Sequence, residues 1–258
     1  MDHIRKSVIN KKININKVVI GVGGTGTNDL GLGLCSVFGM KLIDIDGKET
    51  DIIPEFYHNT DKILWSKPEL PFIIETIVDV NIPLLGEAGA TYQFAAQKGA
   101  METEIELLEL GFNKIINILN NNKLNILANS LSGAGGGLAA GLSHFFDAEC
   151  TSSFENLRAD KVLIRMMEQA DYVITGEGIF DKTSLLGKGA SAIIKISDNL
   201  NKKVFLCCGK IEKDSVKMLS KNIIPIEMNK KTIDNKYKKY FEEEVKIASS
   251  KIINLIFR

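Results

Sequence analysis

Hydrophobic and polar positions follow two alternating rhythms along this chain. Residues 17–21 (KVVIG) form a β-branched run closed by glycine, which predicts a buried strand. A helix is expected over 28–38, because Leu30, Leu34, Val37 and Phe38 share one face. Residues 41–47 (KLIDIDG) alternate apolar and polar positions and end in the turn signal Asp46-Gly47, whereas 51–71 holds three of the five prolines and is expected to be irregular. A strand is predicted at 72–80. A long amphipathic helix follows at 101–119, with Ile105, Leu108, Phe112, Ile115, Ile116 and Leu119 toward the core. Residues 132–146 (SGAGGGLAAGLSHFF) read as a glycine-rich loop running into a helix. An acidic helix ending near Ala170 precedes a strand at 172–176 (YVITG), a helix at 183–200, strands at 204–208 and 223–226, and an amphipathic helix at 241–257. Strands alternating with helices predict an α/β protein with a largely parallel sheet and flanking helices, of Rossmann or flavodoxin type.

Length and composition narrow what such a chain can do. At 258 residues, 45% hydrophobic, it suits one domain or two intimate lobes, at roughly 100–200 residues per domain. Lysine plus arginine equals aspartate plus glutamate at 32 each, so the overall charge favours neither nucleic acid nor an anionic membrane as partner. Cys35, Cys150, Cys207 and Cys208 lack CxxC spacing and read as reduced thiols, and His3, His58 and His144 are too scattered for a zinc site. No apolar run approaches about 18 residues and the charged opening segment lacks a signal-peptide pattern. A cytoplasmic protein is expected.

The densest signal is GVGGTGTNDLGLGL at 21–34, with six glycines in fourteen positions behind an apolar run. Gly21, Gly23 and Gly26 satisfy GxGxxG, and Asp44 or Asp46 lies about 20 residues onward, so an NAD-binding enzyme has to be weighed. Gly31 and Gly33 work against the close helix packing that fingerprint needs, and Asn28-Asp29 would set a carboxylate beside the pyrophosphate. A loop for a smaller anion fits better. Backbone N–H groups around Gly23 and Gly24 can surround phosphate or carboxylate oxygens, with Thr25, Thr27 and Asn28 as side-chain donors. Close helix–strand packing is the purely structural alternative, and it stays open here.

Five blocks together resemble the class I glycerate kinase family: GVGGTGTNDLGLGL, VDVNIPLLGEAGATYQFAAQKGA (78–100), SGAGGGLAAGL (132–142), ADYVITGEGIFDKTSLLGKGA (170–190) and VFLCCGKI (204–211). They keep the family's order and span most of the chain. Departures include Thr25-Gly26 for Ser-Ala, Ile82 for asparagine, Gly135 for alanine, Ile179 for arginine and Lys182 for glutamine. The family's chain is considerably longer at its N-terminus. The resemblance therefore implies a glycerate kinase-type region over 1–258 that lacks the family's N-terminal segment, built as two interleaved α/β lobes with a sub-lobe at about 40–135.

What the resemblance implies is transfer of the ATP γ-phosphate to a hydroxyl of D-glycerate, with magnesium as the metal. Phosphoryl transfer needs donors around the polyphosphate, a metal, and a group that takes the acceptor proton. Asp181 is then metal ligand or base, Glu177 its metal partner through water, and Asp79 the competing base. Gly23, Gly24, Thr25, Thr27, Asn28, Gly135, Gly136 and Lys188 would hold nucleotide or phosphate. Lys98, Gln97 and Asp29 would hold glycerate. A second reading is a non-catalytic nucleotide- or phosphate-binding remnant, or one half of a split kinase that meets a separately encoded N-terminal fragment. The NAD enzyme is the third. Partners are the small-molecule substrate and either a second copy of the chain or that fragment.

Overall fold

A computed structural model of the chain describes residues 1–120, 131–186, 189–228 and 237–257. Two compact units divide it, Met1–Ser152 and Ser153–Arg258. The first unit runs α1 (Asp2–Ile9), β1 (Lys17–Val22), α2 (Leu32–Ser36), β2 (Lys41–Asp44), β3 (Glu49–Thr50), β4 (Thr60–Leu64), β5 (Ile73–Val78), α3 (Ala90–Phe94), α4 (Glu102–Asn120), α5 (Leu138–Phe146) and β6 (Glu149–Ser152), with 3₁₀ turns at Pro54–Asn59 and Ala96–Lys98. The second runs α6 (Ser153–Ala159), α7 (Lys161–Gln169), β7 (Tyr172–Phe180), α8 (Gly189–Asn199), β8 (Lys203–Ile211), α9 (Lys213–Val216), β9 (Ile223–Glu227) and α10 (Tyr237–Ile256). Among the described residues no helix is long and apolar enough to cross a membrane.

In the first unit β1, β5 and β6 make a parallel sheet in that order, with Val22 opposite Val78 at the carboxyl end of β1 and β5. Ile74, Thr76 and Val78 of β5 are buried on one face, as period-2 alternation requires, and α5 packs along this strand. A second, antiparallel sheet orders β3-β2-β4. Its tight turn is the one expected at Asp46-Gly47. Gly47 takes φ +78°, and Asp44 Oδ1 accepts from the N–H groups of Asp46 (3.0 Å) and Lys48 (2.8 Å). Helix α4 buries Phe112, Ile115, Ile116 and Leu119. It lies tightly on the 54–59 turn, since a Cβ on Gly111 would stand 2.9 Å from Tyr57 Cβ.

The second unit is simpler. Parallel strands β7, β8 and β9 place β8 in the centre. Val204, Leu206 and Cys208 point to one side, against Ala190 and Ile194 of α8. Phe205 points to the other, against Ala248 and Ile252 of α10. A strand covered on both faces is apolar at nearly every position, which is why 204–208 reads as a continuous hydrophobic run.

Three expectations need adjustment. The helix over 28–38 shrinks to Leu32–Ser36 because Leu30 and Gly31 adopt left-handed conformations (φ 57° and 71°), and Leu30, Leu32 and Cys35 are the buried positions while Val37 is exposed. The irregular 51–71 contains β4, whose TDKIL sequence is too polar to announce an edge strand. The strand begun at 172 continues through both glycines of GEG to Phe180, held by its ladder to β8.

Phe205 is fully buried between the sheet and α10, so Phe205→Ala is expected to lower the unfolding free energy by about 3–5 kcal/mol, measured by urea denaturation.

Candidate functional site

The carboxyl ends of β1 and β5 deliver the first glycine loop and Asp79 side by side. A Cβ on Gly23 would sit 2.5 Å from Asp79 Oδ2, so the carboxylate rests against the loop. Ligands of open parallel sheets collect at such strand ends. The second glycine-rich loop lies across the first. Leu30 N–H donates to Gly136 O at 3.1 Å, and Gly141 packs on Leu30 O. Gly136 has φ +67° and its missing Cβ direction points at Thr27 O and Asn28, leaving no room for a side chain. Gly135 is likewise packed against Val22 and Thr25. Both glycines therefore serve the contact between loops. Gly24 (φ +59°) and Gly26 are different, since nothing stands within 4 Å of where a Cβ would be.

Beneath the first loop is a cavity of about 360 Å³, lined by Gly26, Thr27, Asn28, Asp29, Ile52, Ile53, Pro54, Ala95, Lys98, Ala100 and Leu108. Lys98 ends the 96–98 turn, where Gly99 (φ +101°) stops the helix. Its Nζ donates to Thr27 O (2.5 Å) and Thr25 Oγ1 (3.3 Å). Burial pushes the Lys98 ammonium below the usual lysine pKa, and the Asp29 carboxylate opposes that shift. Asp29 itself is tied into the backbone, its Oδ1 accepting from Gly31 N–H at 3.0 Å, and its carbonyl accepts from the Tyr57 hydroxyl at 3.1 Å. Asn28 is buried, donates to Thr91 Oγ1 at 3.3 Å, and keeps Oδ1 buried without a hydrogen-bond partner. Gln97 is exposed beside Lys98. The structure thus gathers Asn28, Asp29, Thr27 and Lys98 around one cavity, with Thr25 held to Lys98.

In the second unit, Glu177 lies within β7, opposite Cys208, rather than after the strand. Gly176 permits this, because its Cα runs directly against Cys207 O with no space for a Cβ. Asp181 follows the strand and organises the next turn, with Oδ1 accepting from Thr183 N–H (2.8 Å), Thr183 Oγ1 (2.6 Å) and Ser184 N–H (3.0 Å). Lys188 lies outside the described residues. No three His, Cys, Asp or Glu side chains among the described residues group as a metal cage. Glu177 Oε1, however, is buried without a hydrogen-bond partner, the kind of oxygen a hard cation takes. Magnesium brought in on substrate phosphates needs only one or two protein carboxylates, and the unpartnered Glu177 oxygen fits that mode of binding.

The dinucleotide fingerprint meets a different geometry. Helix α2 starts at Leu32, six positions beyond Gly26, so no helix N-terminus opens on the GxGxxG turn. Sequence reading missed Tyr57, whose fully buried hydroxyl holds the Asp29 carbonyl. Nothing local announces it, because it lies in the stretch expected to be irregular.

Gly24→Val is expected to destabilise by about 1–2 kcal/mol through its left-handed backbone, while weakening phosphate binding at least tenfold. Gly136→Val adds a clash to the same strain and should remove about 3 kcal/mol or more. Denaturation curves paired with phosphate titrations separate the two. Lys98→Met should leave the melting temperature at pH 7 unchanged or raised. The depressed pKa means the folded state disfavours the charged lysine, a penalty present at neutral pH and relieved as pH rises toward 10.5.

The glycerate kinase family model matches residues 6–256. A glycerate kinase of Neisseria meningitidis is 30% identical over 212 residues, 81% of this chain and 56% of that protein. The glycerate 2-kinase of Escherichia coli is 31% identical over 202 residues, 76% of this chain and 53% of that protein. The chain thus spans about half the length of these curated relatives. A crystal structure from Salmonella typhimurium, of a protein described as glycerate kinase 2, superposes with a TM-score of 0.64 at 25% identity, covering 100% of this chain and 69% of that one. Fold, strand-end loops and a match running nearly end to end agree: the chain belongs to the glycerate kinase family.

Proposed function

We propose that this chain acts in the ATP-dependent phosphorylation of D-glycerate. The observation that carries the reading is Lys98, a half-buried cation at the edge of a small cavity, with hydroxyl and carbonyl groups of the first glycine loop as its neighbours. Lys98 would turn to the glycerate carboxylate, because a partly desolvated ammonium gains more from an anion than from a neutral carbonyl. The open backbone at Gly24 and Gly26 would receive phosphate oxygens. Asp79 would accept the proton of the attacking hydroxyl, which general-base catalysis places at about 10²–10⁴ in rate. Asp181 suits a holding role better than a proton-accepting one, since its Oδ1 already accepts from the backbone and hydroxyl groups of both Thr183 and Ser184. Bound magnesium would neutralise polyphosphate charge, with Glu177 and Asp181 as the residues to hold it.

The relatives' greater length supports a second reading, in which this stretch binds glycerate or nucleotide and transfers phosphate only with further chain. Coupled ADP release with D-glycerate and magnesium, run with and without the relatives' remaining segment, separates the two. Calorimetric titration with D-glycerate, ATP and NADH tests binding in either case; NADH as the only ligand would overturn both.

In an active preparation, Asp79→Asn should lower kcat about 100-fold or more at nearly unchanged KM. Asp181→Ala should weaken magnesium dependence and also lose about 1 kcal/mol of stability with the turn it caps. A reversed pattern in steady-state kinetics would move the base to Asp181.

A further inference from the structure

Glu109 is a charged residue in the middle of α4, only 9% exposed, on a helix whose other buried positions are apolar or glycine. Burying a carboxylate is unfavourable unless its oxygens find donors. Oε1 has one, accepting the Gly86 N–H at 2.7 Å, while Oε2 is buried without a hydrogen-bond partner. Gly86 is no ordinary donor of this bond. It sits at φ +85°, and its carbonyl in turn accepts the Gly89 N–H at 2.7 Å. Leu84 O then accepts from Ala90 N–H at 3.2 Å, which starts α3. From there the chain runs through α3 directly into the 96–98 turn that ends in Lys98, and Thr91 on α3 meets Asn28 of the first glycine loop. The neighbour of Glu109 on α4, Leu108, lines the same cavity as Lys98.

We infer that Glu109 is a positioning residue for Lys98: its carboxylate fixes the Gly86 turn, and that turn sets where α3 and the lysine after it lie. The inference rests on the reading of Lys98 as the holder of the substrate anion. Glu109 itself touches no substrate. A purely apolar residue in its place would pack as well, but would leave the Gly86 N–H unanswered and the turn free to shift.

The test compares Glu109→Ala with Glu109→Gln, which keeps an oxygen for the Gly86 N–H. Lysines are acylated with a trace of acetic anhydride and read by mass spectrometry, with Lys17 of β1, paired to Glu75 of β5, as internal reference. D-glycerate affinity is measured by calorimetry on the same samples. In Glu109→Ala, the Lys98-to-Lys17 labelling ratio is expected to rise about tenfold and D-glycerate binding to weaken about tenfold. Glu109→Gln should stay within about twofold of the parent on both. An unchanged ratio in Glu109→Ala, or an equal rise in both variants, overturns the inference. Should Glu109→Ala not fold, Glu109→Asp, which keeps the charge and shortens the reach, takes its place with the same criteria. If the parent fails to bind D-glycerate while the labelling contrast holds, the glycerate reading falls and the positioning of Lys98 by Glu109 stands.

Discussion

The first unit depends on one close contact, the meeting of two glycine-rich loops at Leu30 and Gly136. The hydrogen bond from Leu30 N–H to Gly136 O requires backbone to touch backbone, and the absent side chain at Gly136 is what allows it. Leu30 must turn left-handed to make it, a conformation unfavourable for leucine and held here by complete burial. With Leu30 fixed, Asp29 folds back onto Gly31 N–H and the carbonyl of Thr27 faces Lys98. The geometry of the first glycine loop is thus a by-product of packing behind it. Close packing and open backbone fall to different glycines, Gly135 and Gly136 in the second loop and Gly24 and Gly26 in the first.

Charge is used sparingly around this loop. Lys98 loses hydration as it enters the cavity wall, and Asp29 returns part of what is lost. The lysine's acceptors within the protein are neutral, the Thr27 carbonyl and the Thr25 hydroxyl. The second unit treats carboxylates in two ways. Asp181 is satisfied by its own turn, while Glu177 keeps one buried oxygen unanswered inside a strand. A buried oxygen left without a partner is rare enough to set Glu177 apart from a carboxylate engaged by its own turn.

Much of this was legible in the chain. Buried parallel strands such as β8 show as unbroken apolar runs, and α4 shows its core face at helical spacing. The candidate loop was legible too, because glycines crowd behind a strand only where backbone must come close to something. What they approach was not, since Gly136 meets Thr27 and Asn28 through the fold rather than through sequence proximity. Edge strand β4 was hidden by its polar sequence, and the late start of α2 by left-handed residues whose conformation tertiary contact dictates. Tyr57 and Glu109 were missed for a common reason. Their importance lies in a single long-range hydrogen bond, to the Asp29 carbonyl and the Gly86 amide, that no local pattern encodes.

The contact between the loops also has a bearing on the order in which the chain folds. Leu30 and Gly136 are remote in sequence, and closing so long a loop costs entropy that only later contacts can offset. Strand β5, the antiparallel hairpin and α4 all lie between them. The backbone of the first glycine loop can therefore take its final shape only after that intervening structure has assembled. A nascent or partly unfolded chain carries every residue of the loop and still has no binding surface. A ligand that bound there would stabilise that unit as a cooperative block rather than the loop alone.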